Sequence, residues 1–184
     1  MINRNEALIL LKKYLRDGDN IRHSIAVEAV LRELAKKLKR DEELWGLTGL
    51  LHNLDYEYTS GEPEKRWILS AQLLEDLIPE DCVNAIKANN YIYTDYIPIS
   101  SLDKSLIAAD AATGFVIFTA YKMPSKKIAE LDLNVIMTKF NDTSFGIKYN
   151  RNKIQLCVDI GIDLEVFLEL VLNTLKKIST KLNL

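Results

Sequence analysis

Cysteine and histidine are both scarce in this chain, with two residues of each among 184. Cys82 and Cys157 lie far apart and form no CxxC pair, so the pattern favours buried free thiols in a reducing compartment over a disulfide. The seven glycines are scattered singly, which excludes a glycine-rich phosphate loop. A chain of this length buries roughly 70% of its unfolded surface, so it needs neither a disulfide nor a structural metal to fold.

An excess of either charge is also absent. The formal net charge is −2 and the isoelectric point is near 5.8. The basic run at residues 35–40 is typical of a helix carboxy-terminus, and acidic residues around it offset its charge. We therefore expect no nucleic-acid partner.

Long uninterrupted apolar runs are missing as well. The longest apolar stretch, residues 101–123, contains Asp103, Lys104 and Asp110, which predicts a buried core helix rather than a membrane span. The apolar run at residues 7–11 is too short for a signal peptide or a span. We expect no membrane association and a cytoplasmic location.

Helical periodicity dominates the sequence. Apolar residues recur on one face of residues 5–17, and Asn20 is predicted to cap a long second helix. Asp41 opens a third helix that is apolar nearly all round towards its end, which predicts a central position. Pro98 interrupts the only strand-like stretch, so we predict a loop there.

These patterns predict an all-α fold in a single domain over residues 1–184. Within it, residues of about 1–124 form the helical core, and residues of about 125–184 form a helical extension packed on that core. Whether the protein is a monomer or a homodimer stays open.

The two histidines occupy positions that a helical hairpin would bring together. His23 lies in the first turn of the second helix, and His52 lies in the last turn of the third. If those helices are antiparallel, both imidazoles lie at the same end of the hairpin. Asp110 lies inside an apolar run, where an unpaired carboxylate is costly, so it must be hydrogen-bonded, paired with a cation or bound to a metal.

Two imidazoles and one carboxylate are suitable ligands for Mn²⁺, Fe²⁺, Ni²⁺, Zn²⁺ or Co²⁺. A metal of this kind acidifies a bound water and polarises a phosphoryl oxygen. The alternative has no metal: His52 is then a hydrogen-bonded core histidine, His23 a helix-start residue and Asp110 a capped or salt-bridged acid.

The segments HSIAV at 23–27, GLLHNLDYE at 49–57 and AADAATGF at 108–115 together resemble the HD-domain superfamily of metal-dependent phosphohydrolases. They are most similar to the branch whose central motif reads HDLDYE. The resemblance implies an all-α HD-domain helical bundle, here with a carboxy-terminal helical extension.

The resemblance also implies a set of metal ligands: His23, His52, Asn53 and Asp110. Asn53 departs from the family, which has Asp at that position. An amide oxygen can coordinate a metal but brings no negative charge, so metal binding is expected to be weaker. Relatives whose sites have more metal ligands carry two further histidines. The first corresponds to Arg66 or Trp67 of this chain and the second to Asn89, so a two-metal site is not expected.

Three further residues are candidates for catalysis. Asp55 and Glu57 are either caps for nearby backbone or replacements for the charge lost at Asn53, one of them acting as a general base. Arg66 either neutralises one of these acids or holds a substrate phosphate as a bidentate donor.

Two functions follow from this combination of residues. The first is a phosphohydrolase that uses one divalent transition metal and acts on a small phosphorylated molecule such as a nucleotide. The second is a degenerate, non-catalytic HD protein that serves as a binding or structural module, with a weakened or lost metal site. The sequence leaves open whether the protein is an enzyme.

Overall fold

The structure is a computed structural model that describes residues 1–184, and it is entirely helical. This confirms the predicted all-α fold. Ten α-helices and two short 3₁₀ helices, Ile128–Glu130 and Val158–Ile160, make up the chain. The α-helices are α1 (Arg4–Tyr14), α2 (Gly18–Leu38), α3 (Glu42–Leu51), α4 (Ile68–Leu74), α5 (Glu80–Ala88), α6 (Ser101–Lys122), α7 (Leu133–Asn141), α8 (Arg151–Gln155), α9 (Leu164–Lys177) and α10 (Ser179–Leu182).

Side-chain caps define where the longer helices begin. Asp17, rather than the predicted Asn20, caps α2, because its carboxylate accepts a hydrogen bond from the Asp19 amide. Asp41 caps α3 as predicted, accepting from the Leu44 amide at 2.9 Å. Such caps satisfy amides that have no partner within the helix, and each contributes about 1 kcal/mol.

Helices α2 and α3 form the predicted hairpin, and a glycine allows their close approach. A Cβ atom at Gly49 would lie 3.0 Å from both the Glu28 amide nitrogen and the Val27 carbonyl oxygen. Because those atoms belong to the backbone of α2, they cannot move aside as a flexible side chain could. The hairpin brings the start of α2 beside the end of α3, and the ring centroids of His23 and His52 lie 5.9 Å apart.

The long helix α6 runs through the middle of the protein, and its side chains contact both parts of the chain. The loop at residues 91–99 precedes it, as predicted. One hydrophobic core includes buried residues of α1 to α6 together with Ile136, Ile154 and Phe167 from the carboxy-terminal helices. No helix of the protein has both the length and the apolar character needed to cross a membrane.

Candidate metal centre

His23, His52 and Asp110 converge at the end of the α2–α3 hairpin. His23 Nε2 lies 2.7 Å from Asp110 Oδ1, and His52 Nε2 lies 3.5 Å from the same oxygen. One ligand atom from each residue falls within 4.8 Å of the other two. Three helices that are distant in sequence therefore deliver three metal-ligating groups to one point.

The hydrogen bond of His52 Nδ1 leaves the other ring nitrogen, Nε2, facing this point. Its Nδ1 lies 2.7 Å from the Gly49 carbonyl oxygen, and a carbonyl can only accept, so Nδ1 carries the proton. If the imidazole is neutral, the lone pair of Nε2 therefore faces a carboxylate oxygen of Asp110. The residue is fully buried, and Nε2 has no hydrogen-bond partner. A positive charge is needed between the two acceptors, supplied either by a proton or by a cation.

Asp110 is held by donors on both carboxylate oxygens. Asn89 Nδ2 donates to Oδ2 at 3.1 Å, and Oδ1 faces the two imidazoles. Burial by itself would raise the pKa of Asp110, but the adjacent His52 and His23 hold it well below its ordinary value. The carboxylate is therefore negatively charged at neutral pH and available as a ligand.

Asn53 also contributes an unused acceptor. The residue is 2% exposed, its Oδ1 atom is buried without a hydrogen-bond partner, and it borders the same cavity as His23 and Asp110. A buried carbonyl oxygen with no donor costs free energy unless a ligand supplies one.

The donor set therefore fits a divalent transition metal. It combines imidazole nitrogens with one carboxylate oxygen, which suits Mn, Fe, Ni, Zn or Co. His52 Nε2, which has no hydrogen bond, is an atom that such an ion would satisfy, and the unpartnered Asn53 Oδ1 belongs to a residue that borders the same cavity. Asn89 supplies the outer hydrogen bond that commonly orients a ligating carboxylate.

Asp55 is engaged at a helix end. Its carboxylate accepts a hydrogen bond from the Ser70 amide at 3.0 Å, and its own amide donates to the Ser70 hydroxyl at 2.9 Å. This pair caps the first turn of α4. Burial raises the pKa of Asp55 despite these hydrogen bonds and the nearby charge of Arg66. The geometry favours the capping interpretation over a general base, although Oδ1 remains without a partner.

Glu57 is likewise engaged by backbone, at the start of α2. Its carboxylate accepts hydrogen bonds from the amides of Arg16 and Asp17 and from the side chain of Asn20. The Asp17 amide contributes most to lowering the pKa of Glu57 below its ordinary value. Glu57 thus fixes the entry into the helix that carries His23, which again favours the structural interpretation.

Arg66 does not pair with either acid. Its guanidinium lies over the Tyr56 ring at 4.2 Å and the Trp67 ring at 4.4 Å, and it forms no salt bridge. Its Nε atom is buried without a hydrogen-bond partner. No salt bridge therefore joins Arg66 to Asp55 or Glu57, although the charge of Arg66 acts on Asp55, and the guanidinium borders the cavity beside Asp110.

The cavity has a volume of about 670 Å³ and is bordered by both halves of the chain. Two of its residues, Tyr149 and Lys153, were not predicted, because nothing in the sequence distinguishes them from surface residues of the extension. A Cβ atom at Gly114 would lie 2.9 Å from the Tyr149 ring, so that glycine makes room for the ring on α6. Burial raises the pKa of Tyr149 to about 12, so its phenol is neutral at physiological pH.

An all-helical bundle in which two histidines and a distant aspartate converge is consistent with the metal-dependent phosphohydrolase-like superfamily that the HD domain suggests. The family model of the HD domain matches residues 20–113, a range that includes all three residues, and the chain belongs to that family. HD domains typically bind divalent metals. Neither a curated protein nor a solved structure matches the chain.

Proposed function

We propose that the protein is a divalent-metal-dependent phosphohydrolase acting on a small phosphoester such as a nucleotide. The observation that carries this proposal is the convergence of His23, His52 and Asp110 beside a cavity that His23 and Asp110 border, with the buried His52 Nε2 left without a hydrogen bond. A purely structural histidine would be expected to use both ring nitrogens.

In this proposal His23, His52 and Asp110 hold the ion, and the Asn53 amide oxygen is an additional neutral ligand. The metal would supply Lewis acidity and lower the pKa of a coordinated water. Asn89 keeps the Asp110 carboxylate oriented through its hydrogen bond. Arg66 binds phosphoryl oxygens, because its guanidinium faces the cavity and has no carboxylate partner.

A non-catalytic binding protein is the second candidate, and one contact favours it. The direct 2.7 Å interaction between His23 Nε2 and Asp110 Oδ1 satisfies both groups without a metal. Asn53 adds no negative charge. The free energy that metal ligation gains over this hydrogen bond is therefore smaller than in a site with a second carboxylate.

Metal analysis combined with hydrolysis separates the two candidates. The purified protein is supplemented in turn with Mn, Fe, Ni, Zn and Co, its metal content is measured, and it is assayed on a panel of phosphomonoesters and nucleotides. We expect stoichiometric metal and hydrolysis in the wild type, and loss of both in His52→Ala. The exposed Thr143→Ala is the matched control and should behave like the wild type. A metal content far below stoichiometric, together with no hydrolysis, would overturn the phosphohydrolase proposal and leave the non-catalytic binding protein.

We further propose a cytoplasmic location and a small-molecule partner. Cys82 and Cys157 are both free and buried, a state that a reducing compartment maintains. The cavity volume suits a small molecule.

A further inference from the structure

Two cations lie against one indole ring beside the candidate metal centre. The Arg66 guanidinium is 4.4 Å from the Trp67 ring centroid, and Lys153 Nζ is 4.7 Å from the same centroid. The Tyr56 and Tyr91 rings flank them, at 4.2 Å from Arg66 and 5.5 Å from Lys153. The aromatic rings thus pack against two positive groups, and both groups border the cavity beside the metal centre.

Neither cation forms a salt bridge within the protein, although the charges of Asp55 and Asp110 act on Arg66 and Lys153 from farther away. Arg66 forms no salt bridge and its Nε atom is buried without an acceptor, while Lys153 donates only to the Asn89 carbonyl oxygen at 2.9 Å. Elsewhere in the protein, the partly buried Arg4 and Arg32 share the carboxylate of Glu28. A partly buried cation without an anion is costly, so the arrangement at Trp67 calls for a negative group.

The two cations also act on each other, because both lie within 4.7 Å of the same ring centroid. Burial is the main reason that the pKa of Lys153 is lowered, and Arg66 lowers it further, whereas the charge of Asp110 opposes the shift. Both side chains border the cavity that contains His23 and Asp110. An anion bound in this cavity would offset both positive charges.

Lys153 comes from outside the region that matches the HD family. That match ends at residue 113, whereas Lys153 lies on α8 in the carboxy-terminal extension. The extension therefore does more than cover the core, because it completes the positive wall of the cavity.

We propose that Arg66 and Lys153 together form a binding site for a doubly charged phosphate, the terminal group of a phosphomonoester. Two cations match two negative charges, and this selects a terminal phosphate over the singly charged phosphate of a diester. The assignment of this phosphate to a substrate rests on the proposed function, but the anion site can be measured without metal or hydrolysis.

Titration with inorganic phosphate in the presence of a chelator, at mildly alkaline pH, tests the site. Binding is followed by calorimetry and by the fluorescence of Trp67 in a Trp45→Phe background. We expect Lys153→Met and Arg66→Met each to weaken phosphate binding by about tenfold, the loss of one charge-assisted contact. Lys153→Arg should bind within about threefold of the wild type, because it keeps the charge. The exposed Lys127→Met is the matched control and should bind like the wild type.

Dimethyl phosphate, which is singly charged, should bind at least about fivefold more weakly than inorganic phosphate. Equal affinities for the two would overturn the preference for a terminal phosphate. Unchanged binding in Lys153→Met, or no saturable binding by the wild type at millimolar phosphate, would overturn the site itself.

A footprint on the wild type keeps the proposal testable if the variants do not fold. Lys153 should be acetylated more slowly when phosphate is present, whereas Lys127 should react at the same rate with and without it. Lack of protection at Lys153 would count against the site. Phosphate binding in a protein that holds no metal and hydrolyses nothing would refute the proposed function while leaving this site intact.

Discussion

Asn89 and Asp110 are joined by a hydrogen bond of 3.1 Å, from the amide nitrogen to Oδ2, and this bond leaves Oδ1 facing the two histidines. Asn89 is fully buried. The resemblance to the HD family implies a histidine at this position in relatives that have more metal ligands. In this chain Asn89 orients the Asp110 carboxylate instead of providing a further metal ligand.

Replacing Asn89 by Leu should weaken metal binding. Without the amide, the carboxylate of Asp110 can rotate away from the histidines, and loss of such an orienting hydrogen bond typically costs about tenfold or more in metal affinity. Titration with Mn²⁺ measures the change. The neighbouring Asn90 is equally buried but donates to the Glu64 carbonyl, so Asn90→Leu is the matched control and should lower stability without lowering affinity. Equal losses of affinity in the two variants would contradict the orienting role.

Replacing Asn53 by Asp should strengthen metal binding. The carboxylate restores a negative charge beside His23, His52 and Asp110, so we expect affinity for Mn²⁺ to rise by about tenfold or more. Calorimetry in the same buffer compares the wild type, Asn53→Asp and Asn53→Ala. The alanine variant removes the oxygen altogether and should bind more weakly than the wild type. If all three bind equally, position 53 does not contact the metal.

Replacing Glu57 by Ala should destabilise the protein in a pH-dependent way. The carboxylate holds the amides of Arg16 and Asp17, so its loss should lower the free energy of unfolding at neutral pH by about 1 kcal/mol, the size of a helix cap. Solvent screens the partly exposed carboxylate, so we expect no larger effect.

The sign of the pH dependence follows from the lowered pKa of Glu57. The stabilisation is fully present above the unfolded pKa of about 4.3 and is lost as the pH falls through the lower native pKa. Urea unfolding from neutral pH downward should therefore show the wild type and Glu57→Ala converging in acid. Glu57→Gln keeps an acceptor, and it should retain any hydrolysis the wild type shows. Loss of hydrolysis in a stable Glu57→Gln protein would instead support a catalytic role.

Replacing Gly49 by Ala should disturb both the fold and the site. The added Cβ would lie 3.0 Å from the backbone of α2, so the two helices must separate, at a cost of about 1–3 kcal/mol. Because His23 and His52 lie on these helices, metal affinity should fall as well. Gly18→Ala is the control, since its new Cβ would approach only the flexible Arg22 side chain. An unchanged melting temperature in Gly49→Ala would show that the helices have room to adjust.

Much of the fold could be predicted from local patterns. Asp41 and the apolar run after it indicated α3, and Pro98 indicated a loop, because caps and ring constraints act within a few residues. The predicted cap of α2, Asn20, was wrong, because Asp17 caps the helix. Both residues are good caps, and the choice depends on Glu57, forty residues away, which binds the backbone at 16 and 17.

The sequence by itself determined the helical class, the hairpin that pairs His23 with His52, and the departure at Asn53. The first two follow from periodicity and capping chemistry, and the third follows from the resemblance to the HD family. Only the tertiary structure decided that Asp55 and Glu57 are engaged at helix ends, that Arg66 has no acidic partner, and that Lys153 borders the cavity. The reason is physical: which charges are neutralised depends on distances between helices remote in sequence, and residue identities alone do not contain those distances.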